Sequence, residues 1–138
     1  EEDELLADEL SPDTLRGDET ILLVEDDPDV REVAEVILTQ YGYQVIKAGN
    51  GEEALRLIRK NDHDIQLMIT DVVMPGMSGR ELAEKMTALL KDIKVLYISG
   101  YTDNAIVQHG MLKSGIKYLP KPFNIQDLVT KVRQVLDA

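Results

Sequence analysis

Five short apolar runs recur along the chain, and each gives way to apolar residues at helical spacing. The first spans Thr20 to Glu25, with Ile21, Leu22, Leu23 and Val24 in succession. The second is Gln44 to Lys47, the third Leu67-Met68-Ile69, the fourth Val95 to Ile98 and the fifth Ile116 to Leu119. None alternates between apolar and polar, the pattern of a strand covered on both faces. Between them lie stretches long enough for crossover helices. Parallel strands need such crossovers, so the expected fold is α/β: a five-stranded parallel sheet with helices on both faces.

The punctuation agrees. Pro28 stands where a first helical residue belongs, its φ already set. Val30, Val33, Ala34, Ile37 and Leu38 then form one stripe, with Val36 off it. Gly42 suits a left-handed helix end. Asn50 with Glu53, and Ser78 with Glu81, have capping-box spacing. They open helices with Ala54, Leu55 and Ile58, and with Leu82, Met86, Leu89 and Leu90, facing inward. A fourth helix is expected over Asp103–Lys113. Asn124 with Asp127 opens a last one with Ile125, Leu128, Val129, Val132 and Leu136 inside.

The chain's 138 residues, 43% of them hydrophobic, suffice for one domain with a proper core. No apolar run approaches the roughly 20 residues of a membrane span. Cysteine is absent, which excludes disulfides and thiolate metal sites and fits a reducing cytosol. Most of the net charge of −11 lies in residues 1–19, which carry nine acidic side chains against Arg16 alone. Residues 1–18 therefore read as an acidic linker or tail, with Leu5, Leu6 and Leu10 able to line a short helix, and residues 19–138 as the folded domain. An acidic chain without Lys/Arg clusters is not expected to bind nucleic acid.

Polar groups gather where the strands end: Asp26 and Asp27, Asp71, Ser99 and Lys121. In a parallel sheet these C-terminal ends share one edge, where ligands bind. Three carboxylates in one pocket repel each other, and a cation among them would relieve it. Oxygen ligands without His or Cys favour Mg²⁺, which keeps waters and bridges to phosphate oxygens. An acceptor carboxylate, two acids for Mg²⁺, a lysine and a hydroxyl make a site for phosphoryl transfer to Asp71.

These pieces, Leu22-Leu23-Val24-Glu25-Asp26-Asp27, Asp71 through Gly79, Ser99-Gly100 and Lys121-Pro122-Phe123, resemble in order and spacing the receiver domain of the bacterial two-component response-regulator family. The resemblance covers residues 20–138. It implies a flavodoxin-like, doubly wound (βα)5 fold with strand order 2-1-3-4-5. It makes Asp71 the phosphoacceptor, Asp27 a direct Mg²⁺ ligand, Asp26 a ligand through water and Val73 a ligand through its backbone carbonyl. It gives Ser99 and Lys121 to the phosphoryl group, with a cis peptide at Lys121-Pro122, and it makes Tyr118 the aromatic switch. It also implies a histidine kinase or phosphotransfer domain as donor. A homodimer would form through the face of the fourth helix, fifth strand and fifth helix. The resemblance further implies a cytoplasmic location and a domain that catalyses its own phosphorylation and dephosphorylation.

Rival readings meet specific obstacles. A flavin-phosphate module needs a Gly/Ser/Thr loop where Glu25-Asp26-Asp27 stands. A phosphohydrolase of the haloacid dehalogenase class would carry a second Asp where Val73 stands. An interaction module that is never phosphorylated would not need Asp71 and Lys121. The approach to the first strand, Gly17 to Asp27, and the stretch Ile98 to Thr102 resemble receivers at the C-terminus of hybrid sensor histidine kinases; a free-standing regulator is the alternative. Val73 and Tyr101, two residues past Asp71 and Ser99, bring no acid or amide to orient a hydrolytic water, so a long-lived phosphorylated state is expected. His63 and His109 are expected at the surface, and Met68, Met74 and Met77 in packing roles.

Overall fold

A computed structural model describes residues 15–60, 64–100 and 117–138. In chain order the elements are β1 (Thr20–Val24), α1 (Pro28–Gln40), β2 (Gln44–Ala48), α2 (Gly51–Lys60), β3 (Leu67–Asp71), α3 (Gly79–Leu89), β4 (Lys94–Ser99), β5 (Tyr118–Pro120) and the C-terminal helix α4 (Ile125–Asp137). The tail helix, the helix expected over Asp103–Lys113, the start of the fifth strand at Ile116, both histidines and Tyr101 lie outside the described residues.

The five strands are parallel and ordered β2-β1-β3-β4-β5. The unbroken apolar runs have a direct cause: successive residues of one strand feed two different cores. Ile21 and Leu23 join Ala34, Ile37 and Leu38 of α1 and Leu128, Val129, Val132 and Val135 of α4. Leu22 and Val24 join Ala54, Leu55 and Ile58 of α2 and Leu82, Ala83 and Met86 of α3. All of β3 is buried. Each Leu or Ile fully buried in this way contributes about 1.5–3 kcal/mol.

The helix ends follow their sequence signals. Asn124 and Asp127 form a reciprocal capping box on α4. The Ser78 hydroxyl accepts from Glu81 N, and Asn50 Oδ1 accepts from Glu53 N. Gly42, at φ +100°, turns the chain out of α1.

Some stripe residues face elsewhere. Val33 is 57% exposed, Leu89 48% and Ile125 50%, whereas Val135 and Ala83 are buried. Each helix offers an apolar arc wider than the sheet can cover, and the arc's edge stays outside. Val33 instead lines a groove of about 370 Å³ with Val30, Pro122 and Phe123. At the other end, Leu15 is 6% exposed and sits in the α1/α4 core, although the sequence assigned it to the linker. Its burial draws the approach to β1 into the fold.

Candidate functional site

The strand order reverses between β1 and β3, and a crevice opens outside their carboxyl ends. Three side chains meet there. Carboxylate oxygens of Glu25, Asp26 and Asp71 all lie within 4.8 Å of one another. Asp71 is the last residue of β3 and only 4% exposed, Glu25 follows β1 fully buried, and Asp26 is exposed at the rim. The loop after β3 folds tightly back over this end: Gly79 N donates to Val72 O at 2.9 Å. A side chain at Gly79 would collide with the Asp71 carbonyl.

Lys121 reaches in from the loop after β5. Its Nζ lies 3.1 Å from Asp71 Oδ1 and 3.2 Å from Glu25 Oε2. It also donates to Glu25 Oε1 at 3.3 Å, as does Asp27 N at 3.1 Å. The Lys121–Pro122 peptide is cis, as the resemblance implies. Ser99 closes β4, fully buried, and its carbonyl accepts from Lys121 N at 2.8 Å. Tyr118 begins β5 beside Tyr97, half-buried against the α2/α3 core. The Val73 side chain is 64% exposed.

One expected ligand stands elsewhere. Asp27 is not in the carboxylate cluster; its Oδ1 accepts from Asp29 N at 2.9 Å and from Val30 N at 3.4 Å and caps α1. Glu25 takes its place in the cluster, so the acidic pair is Glu25-Asp26. The signal was in the sequence: an Asp directly before a Pro at a helix start is an N-cap, and capping occupies its carboxylate.

The electrostatics of this crevice are strained. Burial, followed by the neighbouring Glu25 carboxylate, pushes the Asp71 carboxyl up to about 8 against the opposing pull of Lys121. Burial works to lower the Lys121 ammonium, but Asp71 and Glu25 outweigh it and leave it raised. Among the described residues Asp71 Oδ2 is buried without a hydrogen-bond donor, and Glu25 Oε2 has only the ion pair with Lys121. Among the described residues one lysine pairs with two of the three carboxylates, and two oxygens are left with acceptor capacity to spare. That donor set, all oxygen and excess negative charge, fits a hard divalent cation.

A five-stranded parallel sheet of this order, with an acidic crevice at its switch point, defines a flavodoxin-like class of domain. A family model described as response regulator receiver domain matches residues 21–133. The chain belongs to that family, whose members act as phosphoacceptors in two-component signalling with histidine kinases or phosphotransfer partners. It is 35% identical over 123 residues to the sensor kinase CckA of Brucella abortus, covering 89% of this chain and 13% of that protein. It is 36% identical over 118 residues to the response regulator receiver protein CpdR of the same organism, covering 86% of this chain and 97% of that one. The solved receiver domain of the hybrid histidine kinase CckA superposes with a TM-score of 0.69 at 38% identity, covering 85% of this chain and 98% of that one. Among the described residues no helix is long and apolar enough to cross a membrane.

Proposed function

We propose that Asp71 is the residue that takes the phosphoryl group, with Glu25, Asp26 and Asp71 holding Mg²⁺ beside it. The observation that carries this reading is the state of the Asp71 carboxylate. Lys121 holds Oδ1 at 3.1 Å, Oδ2 is buried without a donor among the described residues, and an Asp71 oxygen lies within 4.8 Å of oxygens of Glu25 and Asp26. A bound Mg²⁺ would neutralise the cluster and offset the charge on the incoming phosphoryl oxygens. The Val73 carbonyl, two residues past Asp71, is the proposed backbone ligand.

An Asp71 oxygen attacks the phosphorus of a phosphohistidine in line. The new O–P bond forms as the P–N bond breaks, and the departing imidazole nitrogen keeps the electron pair. Lys121, already between Asp71 and Glu25, pairs with a phosphoryl oxygen, and the Ser99 hydroxyl donates to another. Phosphorylation adds nearly two negative charges. Ser99 and Lys121 are drawn to them, and Tyr118, one strand over, turns into the space that Ser99 leaves. The receiver is proposed to serve a hybrid sensor kinase, with a free-standing regulator as the alternative.

Incubation with a small-molecule phosphodonor and Mg²⁺, read by intact mass, tests the assignment. One phosphoryl increment is expected for the parent, and none for Asp71→Asn or in excess chelator. An increment that survives Asp71→Asn would overturn it.

A further inference from the structure

Arg31 lies one turn into α1 and belongs to no part of the site so far described. Its Nη1 donates to the Glu25 carbonyl oxygen at 2.7 Å in a partly buried position. The same nitrogen lies near the loop after β2, 3.4 Å from where a Cβ at Gly49 would stand. Ala48, next to Gly49, accepts from Glu25 N at 3.1 Å. The guanidinium thus holds the loop after β1 at the point where it meets the loop after β2.

Glu25 is the most heavily restrained residue of the cluster. Its N–H goes to Ala48, its carbonyl to Arg31, and its carboxylate to Asp27 N and Lys121. The carbonyl matters most for the neighbouring Asp26. The Glu25 C=O and the Asp26 N–H share one rigid peptide plane. Turning that plane changes where the Asp26 chain departs, and Asp26 is exposed at the rim, with little packing to aim it.

We propose that Arg31 is a positioning residue: by holding the Glu25–Asp26 peptide it sets the carboxylates in the arrangement that takes the divalent cation. The inference rests on the cluster being a cation site, as proposed above. Sign separates positioning from simple charge. Removing a cation's charge from the neighbourhood of three carboxylates strengthens their pull on Mg²⁺. Losing the brace weakens it.

Mg²⁺ binding to metal-free protein, measured by titration calorimetry, is the readout. Arg31→Ala is expected to lower the affinity about tenfold, the range seen when outer partners of metal ligands are lost. Arg31→Lys should restore part of it, and the phosphorylation rate of either variant should recover at saturating Mg²⁺. Lys47→Ala, which removes a surface charge paired with Glu35, is the control and should leave Mg²⁺ affinity within about twofold of the parent. Unchanged or tighter binding by Arg31→Ala would overturn the inference, even with a lowered unfolding midpoint. A parent that binds no Mg²⁺ would instead overturn the cation site itself.

Discussion

Two ionic clusters sit at opposite ends of the sheet, and they are built on opposite rules. At the amino ends of the strands, Arg133 of α4 meets Glu19 at 2.7 Å and Asp137 at 2.8 Å. It also donates to Tyr43 Oη and to the Arg16 carbonyl, both at 3.2 Å. Here one guanidinium is shared among acceptors that all gain from it. The hydrogen bond from Arg133 holds the Glu19 carboxyl below its usual range, and Glu19 in turn holds Arg133 above its own. At the carboxyl ends, three carboxylates crowd together, one lysine pairs with two of them, and the Asp71 carboxyl is pushed up. The first cluster lowers the free energy of the folded state. The second raises it, and leaves ligand capacity for what arrives later.

The largest effect is expected where everything is satisfied. Arg133→Ala strips Glu19, 23% exposed at its side chain, of its partner and frees the segment that carries Leu15. Breaking a partly buried pair of this kind costs about 2–3 kcal/mol, less than a fully buried one. A urea unfolding curve should show it. A lowered carboxylate pKa stabilises above the unfolded value of 4.5 and loses that contribution as pH falls through the folded value. The parent should therefore lose stability on acidification in a way that Arg133→Ala does not.

The site end should respond with the opposite sign. Asp71 has a folded pKa of about 8 against 3.8 in the unfolded chain, so the folded state binds the extra proton. Metal-free stability must then fall as pH rises through that window, the penalty being complete above about pH 8. Asp71→Asn removes the ionisable group and should stabilise the metal-free protein by about 1–2 kcal/mol at the alkaline end, the scale of relieving a buried, poorly paired polar group. Mg²⁺ should flatten the slope in the parent and not in Asp71→Asn. Equal slopes in the two proteins without metal would refute the assignment of strain to Asp71.

The contrast also explains what could be read from the chain beforehand. The strands and their parallel pairing were legible because burial on both faces leaves an apolar run without alternation, as in Ile21 to Val24. Asp71, Ser99 and Lys121 were legible because each stands where a strand stops. Asp26 was found, but Glu25 was missed in favour of Asp27, since adjacent acids look equivalent until one is committed to a helix cap. The Arg133 cluster was not seen at all. It joins residues more than a hundred positions apart, 114 between Arg133 and Glu19, and no local pattern encodes such a pairing. Leu15 was lost for the same reason: a single leucine after an acidic stretch carries no periodicity, and its burial depends on α4.

Val73 offers the finest test of the division between the two ends. It is the most exposed large apolar side chain among the described residues, at 64%, and stands two residues past Asp71. Its replacement should move stability by less than about 0.5 kcal/mol, because it packs against little. Its chemistry is another matter, since hydrolysis of an aspartyl phosphate needs a water aligned behind the phosphorus and a valine cannot orient one. Val73→Asn supplies an amide that can donate and accept at that place. The phosphorylated state should then decay several-fold to about tenfold faster, a barrier change of no more than about 1.4 kcal/mol. The decay can be followed by mass after the phosphodonor is removed, beside a urea curve that barely moves. A lifetime as long as the parent's would overturn the assignment of slow hydrolysis to Val73.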